Sequence, residues 1–398
     1  MSSNISTQPS PALIFIDNEE IYSGLLPLTF TRPVSELLIG LSTIREKWQH
    51  YFNMTARYRT AEFLSELFPG TEPERGDLLI ASDLLPDDRL AEAVAALPCG
   101  GRLTAGDRTL AERFGSAGDE PSETVYDGEI LSVSHPYDLF LLNSRAIESD
   151  FRILTAGRRS RPLSPSCTVI GDPGLVFIEE GGKAEGAFIN TNNGPVYIGR
   201  NAEVMEGSCL RGPVTLLEHA TVNMGSRIYG ATTIGAWCKV GGEINNAVIH
   251  PYSNKAHDGF LGNAVIGSWC NIGAGCVASN LKNDYTEIKL WDYASRRFAR
   301  TGLQFCGLIM GDHSKAGINT MFNTATVTGV GVNIHGTGFP RNFIASFSEG
   351  SAGTGFTDVP MSKFFAIAQR MMARRGIEMT DADRRLFNAL HDLTEVFR

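Results

Sequence analysis

Two hydrophobic periods run along the chain, and the change from one to the other divides it. Over residues 1–160, short aliphatic and β-branched runs alternate with stretches whose apolar positions recur every three or four residues. The runs ALIFI (12–16), DLLIAS (77–82) and EILSV (129–133) predict strands. Val34, Leu37, Leu38, Leu41, Ile44 and Trp48 fall at helical spacing, and RLAEAVAAL (89–97) repeats the pattern. The stretch PYDLFLLNSRAIESDFRIL (136–154) opens on a proline suited to the first helical position. Alternation of this kind predicts βαβ units and a mostly parallel sheet, a Rossmann-like α/β domain.

Beyond Pro162–Pro173 the period becomes six. Leu216, Val222, Ile228, Ile234 and Val240 keep that step, as do Ile198, Val204 and Leu210, and again Ile266, Ile272 and Ala278. Glycine follows at 199, 235, 267 and 273. An inward aliphatic residue every six positions with a small residue beside it predicts a hexapeptide β-helix over 161–345. Residues 281–313 break the register and predict a loop or hairpin projecting from the coil, and imperfect coils return at 316–334. The last segment, 346–398, predicts helices at 361–376 and from Thr380, where Asp383 three residues on makes a capping-box variant. Solenoids expose flat faces, which closed cyclic association buries.

Composition narrows the function. The 398 residues are 42% apolar and 20% charged, which describes an ordinary globular protein of two or three domains. The net charge of −9, without a long basic run, repels a phosphate polymer, so nucleic acid is not an expected partner. Apolar runs are too short to span a bilayer and no signal-like segment opens the sequence, so no membrane is expected and the cytoplasm is the expected location. Seven cysteines, odd in number and without a Cys-x-x-Cys pair, predict reduced thiols rather than a disulfide framework or zinc cluster.

The stretch HDGFLGNAVIGSWCNIGAGCVASN (257–280) resembles the acetyltransferase domain of the bifunctional bacterial N-acetylglucosamine-1-phosphate uridyltransferase/glucosamine-1-phosphate acetyltransferase family, whose motif reads roughly His-x-x-Tyr-Leu-Gly-Asp-x-x-Ile-Gly-x-x-x-Asn-Ile-Gly-Ala-Gly followed by Asn. Together with SGLLPLTFTRPVSELLIGLSTIREKW (23–48) it is similar to a divergent branch of that family, and this wider likeness spans the chain. The resemblance implies a left-handed parallel β-helix, assembled as a homotrimer, with acetyl-CoA in a groove between neighbouring coils. It makes His257 the general base, a role that suits a neutral imidazole when a sugar amine loses its proton to attack a thioester. Asn280 then hydrogen-bonds the amino sugar, and the backbone amides of Gly273 and Ala274 stabilise the thioester oxyanion. The alternative for His257 is a polar residue filling a coil corner. Phe260 replaces the family's tyrosine, and Asn245-Asn246 replaces a Lys-Lys pair expected to hold a sugar phosphate. Lys255, Lys282 or an arginine of SRRFAR (295–300) are the candidate substitutes.

For the first half the same resemblance implies a nucleotidyltransferase that joins an NTP to a sugar 1-phosphate, releases pyrophosphate and yields a sugar nucleotide such as UDP-GlcNAc. The family's glycine-rich phosphate loop is absent; Asp17, Glu19 and Glu20 stand there instead, and the expected lysine is Val34. Arg32, in LLPLTFTRP, is left as the phosphate contact. Asp83 ends the strand LLIASD, where open α/β sheets bind ligands, and LLNSR (141–145) matches the family's Val-Asn-Asn-Arg, so Asp83 and Asn143 are the implied Mg²⁺ ligands. Three functions stay open. They are a multifunctional enzyme with both activities, a nucleotidyltransferase alone (for instance on glucose 1-phosphate) with the β-helix for oligomerisation, and a non-catalytic trimeric scaffold that binds a sugar nucleotide.

Overall fold

The computed structural model describes residues 11–398, so the first ten residues of the 1–160 segment lie outside the described residues. The N-terminal domain is built on a six-stranded sheet in the order Thr55–Arg59, Ala12–Ile16, Leu78–Ala81, Arg108–Arg113, Gly101–Ala105, Ser122–Val125. The first three strands and the Gly101/Ser122 pair run parallel, while Arg108–Arg113 is antiparallel to both neighbours. The helices Asp88–Ala95 and Pro136–Thr155 lie where their periodicity predicts, with Pro136 at the first position of the second.

The helix expected across 34–48 is shorter. Val34–Glu36 is a single 3-10 turn, Leu38–Ile39 pairs with Ser42–Thr43, and the helix spans Ile44–Phe52. Gly40, at φ +68°, makes the reversal, and Thr43 with Glu46 forms a capping box that starts the helix there. The apolar residues ahead of it owe their spacing to burial on several sides, since Val34, Leu37 and Ile39 are all fully buried.

From Thr168 onward the chain winds as a left-handed parallel β-helix. Each six-residue step of the sequence moves from one inward column to the next, and three columns result. One stacks Ile189, Leu210, Ile228, Ile244, Leu261 and Ala278. A second stacks Ile178, Ile198, Leu216, Ile234, Ile249, Ile266 and Met310. The third stacks Ala184, Val204, Val222 and Val240, then Lys255. Corner residues take positive φ, and the rings placed there stack: His219 on Trp237 with centroids 4.0 Å apart, and Tyr252 on Trp269 at 4.2 Å.

The excursion expected over 281–313 spans only 281–305, because Ile309–Met310 is back on the coil in register with Val265–Ile266; it carries an antiparallel hairpin of Lys289–Asp292 and Arg297–Arg300. The hairpin does not project into solvent. Ile288, Leu290 and Tyr293 are buried in a core shared with the N-terminal domain. The coil itself continues past residue 345, through Ser348–Ser351 paired antiparallel with Gly355–Asp358. The helices Met361–Ala373 and Asp381–Thr394 close that end, the second capped by Thr380 and Asp383.

The two domains share one core. An outward row of the solenoid, Val248, Val265, Ile309 and Val327, is apolar because it belongs to the same cluster as Leu13, Leu37 and Phe140 of the first domain. Helix Pro136–Thr155 lies against these strands.

Candidate functional site

Polar residues fill the seam between the domains. Arg32 pairs with Asp312, whose other oxygen accepts from the Ser268 N–H at 2.8 Å, and the Thr31 hydroxyl also donates to Asp312 at 2.8 Å. Arg32 is only 9% exposed. Its guanidinium holds the coil to the first domain and does not face a phosphate site. Nearby, His250 accepts from the Leu38 N–H at 3.2 Å, and its other ring nitrogen lies 3.2 Å from the Ile266 carbonyl, which fixes a neutral tautomer. Burial, then the charge of Arg32, drives the His250 pKa well below that of a free imidazole.

Asn143 belongs to the same seam. Its carbonyl oxygen accepts from Gly40 N–H at 2.8 Å and from the Thr233 hydroxyl at 3.0 Å, and its amide nitrogen donates to Ala231 O at 2.6 Å. Both ends of the side chain are used. Asp83 is likewise occupied: Arg108 contacts both its oxygens, at 2.6 and 2.5 Å. Asp83 and Asn143 share no partner, and among the described residues no three His, Cys, Asp or Glu side chains lie close enough to hold a metal ion. The pair implied as Mg²⁺ ligands therefore does not fit an octahedral cation that needs free oxygen donors.

A cavity of about 720 Å³ does open in this region, between the first domain and the 281–305 hairpin. Asn18, Arg108, His135 and Tyr137 line one side and Trp291 and Arg300 the other. His135 stacks on Tyr137 at 4.8 Å. Asp17, at the end of the first strand, accepts hydrogen bonds from Ser82 and Thr60, and burial lifts its pKa to about 6. Arg108 and His135 carry no sequence motif, and only the antiparallel strand and the helix entry bring them to the cavity.

Residues 13–159 match the family model described as sugar nucleotidyl transferase. The first domain is thus nucleotidyltransferase-like. No curated protein matches the chain. Among solved structures, the UDP-N-acetylglucosamine acyltransferase of Francisella novicida is 14% identical, with 59% of this chain and 76% of that one covered and a TM-score of 0.32. The corresponding enzyme of Bacteroides fragilis is 12% identical over 59% and 81%, with a TM-score of 0.23. The polysialic-acid-specific acetyltransferase NeuO is 12% identical over 57% and 92%, at 0.20.

The second locus lies on the solenoid. His257 occupies the corner between Asn254–Lys255 and Phe260–Ile266, with its carbonyl against Gly242 of the preceding coil, and the next residue, Asp258, accepts from the Gly275 N–H of the following coil at 3.0 Å. Its side chain is exposed and, among the described residues, makes no hydrogen bond. On the strand that follows, Asn263 accepts from the Asn280 amide at 2.8 Å, and Gly262 lies between them and the Phe260 ring. A Cβ at 262 would come within 2.6 Å of that ring and 2.7 Å of the Asn280 amide. Asn263 also borders an open groove of about 640 Å³ lined by Arg211, Tyr229, Asn245, Asn246 and Phe305.

The other residues implied for this locus are placed differently. Lys255 points into the solenoid in an inward column, 1% exposed, and donates to the carbonyls of Gly241 and His257. Burial lowers its pKa to about 8. It supports the His257 corner from within and is not open to a sugar phosphate. Lys282 lies on the 281–305 excursion, bonded to Thr286 and 3.5 Å from Asp284, in a different groove. The Gly273 N–H donates to Ala316 O at 2.9 Å as a coil rung, so it is not free for an oxyanion, whereas the Ala274 N–H donates to no group among the described residues. Arg211, on the row Asn190, Arg211 of the coil face, is the cation the groove does contain.

Proposed function

We propose that the chain is a transferase that moves an acyl group from a thioester donor such as acetyl-CoA to the amine of an amino sugar phosphate or sugar nucleotide, acting at the His257 corner of the solenoid, in a homotrimer. The observation that carries this reading is the exposed, unpartnered His257 imidazole at the corner that leads into strand Phe260–Ile266, the strand whose Asn263 pairs with Asn280 and borders an open groove. The ring takes a proton from the sugar ammonium or the attacking amine; nitrogen bonds to the thioester carbonyl, the C–S bond breaks, and the thiolate leaves and is protonated. Asn280 orients the sugar, the Ala274 N–H faces the developing oxyanion, and Arg211 pairs with a phosphate.

Thiol release from acetyl-CoA with glucosamine 1-phosphate as acceptor tests it. His257→Ala is expected to lower the rate by about 100-fold, the scale of a lost general base. Equal rates in both proteins, or none in the wild type across several amino sugars, would reduce the motif to architecture.

A second reading, nucleotidyl transfer in the 720 Å³ cavity, is supported by the family model over residues 13–159. Arg32, Asp83 and Asn143 do not supply its phosphate and metal contacts. Pyrophosphate release from an NTP and a sugar 1-phosphate decides for or against it. Silence in both assays with retained sugar-nucleotide binding would leave the scaffold reading.

A further inference from the structure

A third concavity lies under the helix Met361–Ala373, where that helix crosses the coil face, and its lining is strongly cationic. Its volume is about 500 Å³, in the range of a site for one small ligand. Lys239 and Lys315 line it from the solenoid, and Arg370, Arg374 and Arg375 from the helix and its end. None of the lining residues is acidic. Arg375 is engaged, donating to the Trp237 carbonyl at 3.1 Å and to Asn254 Oδ1 at 3.3 Å, which pins the helix end to the coil. Lys315 is partly engaged too, donating to the His313 carbonyl at 2.7 Å, whereas Lys239, Arg370 and Arg374 are exposed and form no salt bridge among the described residues.

Cations at a helix C-terminus have an ordinary explanation, because they offset the dipole. That explanation covers about half a unit of negative charge. Five cationic side chains from two separate elements exceed it. The coil contribution is ordered in its own right: Lys239, Asn254, Asn271 and Lys315 form one outward row in register on successive rungs. Beside that row the rings of Tyr252 and Trp269, parallel within 4° and stacked face to face, present their edges as an apolar wall. A polyanion alone needs no such wall, and an aromatic ligand alone needs no such charge.

We propose that this groove is a binding site for a nucleotide with two or more phosphates, its phosphates against Lys239, Lys315, Arg370 and Arg374 and its base against Tyr252 and Trp269. Arginine forks and lysine ammoniums suit phosphate oxygens, and bases gain from aromatic contact. The shared chemistry admits a free nucleoside diphosphate or the nucleotide handle of a larger cofactor. The groove reaches Ala256, the residue before His257, so a ligand longer than a nucleotide extends toward that corner.

Calorimetric titration of the full chain with ADP, UDP, adenosine 3′,5′-bisphosphate and inorganic pyrophosphate tests the site. At least one nucleotide is expected to bind at least 10-fold more tightly than pyrophosphate, and Arg370→Ala/Arg374→Ala is expected to weaken that binding by 10-fold or more with an unchanged melting temperature. Lys239→Ala, on the opposite wall, is expected to weaken it several-fold. Preference for the 3′,5′-bisphosphate over ADP assigns the site to a cofactor handle, and the reverse to a free nucleotide; both support the proposal. Absence of nucleotide binding, pyrophosphate binding as tight as any nucleotide, or binding indifferent to these substitutions overturns it. Binding is read without turnover, so failure here leaves the acyl-transfer reading standing.

Discussion

The seam between the domains and the corner at His257 are both built from polar side chains where strands end, yet one is sealed and the other open. At the seam Arg32, Asp312, Asn143, Thr233 and His250 are at most 9% exposed, and the charges face one another. At the corner the one titratable ring stands in solvent without a partner. The difference teaches what each place is for. Polar atoms removed from water must be fully paired, so they act as joints; a group held rigidly but left unpaired keeps its lone pair for something that is not part of the chain.

The largest effect that would break this comparison is at the ion pair. Asp312→Ala leaves the Arg32 guanidinium buried and uncompensated and strips the Ser268 N–H of its acceptor. Urea unfolding should show a loss of about 3–5 kcal/mol, whereas Arg32→Met/Asp312→Leu should recover most of it. A negligible loss in the single variant would mean that the seam is not a joint. Next comes acid sensitivity. The His250 pKa is lowered in the folded protein, so between pH 6.5 and 5 the unfolded chain takes up a proton that the folded chain refuses. Wild-type stability should therefore fall relative to His250→Gln by up to about 1.4 kcal/mol per pH unit on acidification, and the two should run parallel above pH 7. The smallest effect sharpens the contrast: His257→Ala should change stability by no more than about 0.5 kcal/mol, as for other exposed sites, while carrying the largest change in acyl transfer.

The solenoid is legible in the sequence because its period is short and local: each six-residue step reports one inward column, and the columns through Leu216, Val222 and Ile228 form as read. Lys255 was not legible as a core residue, since a lysine in an inward column defies the pattern, and its reason is the pair of carbonyls that receive its ammonium. Arg32 and Asn143 were legible as special but not as joints. Their partners, Asp312 and Ala231, lie 280 and 88 residues away, and nothing in a local pattern carries that pairing. The hairpin of 281–305 was visible as a break in register, but its docking depends on Tyr293 meeting Phe30 edge to face at 5.3 Å, a contact between distant segments.

The antiparallel return at Gly355–Asp358 has a consequence for self-association. A stack of parallel rungs ends in a row of unsatisfied backbone donors and acceptors, which is a template on which the next molecule's rungs can add without limit. Here the final rung Ser348–Ser351 is paired by a strand of opposite sense and overlaid by the helices that follow. At the opposite end, Ile178 accepts from the Arg161 N–H at 2.9 Å and gives its own N–H to Ser160. The C-terminal end of the column is thus plugged against fibre growth, and at the opposite end the face that starts at Val176–Ile178 is covered.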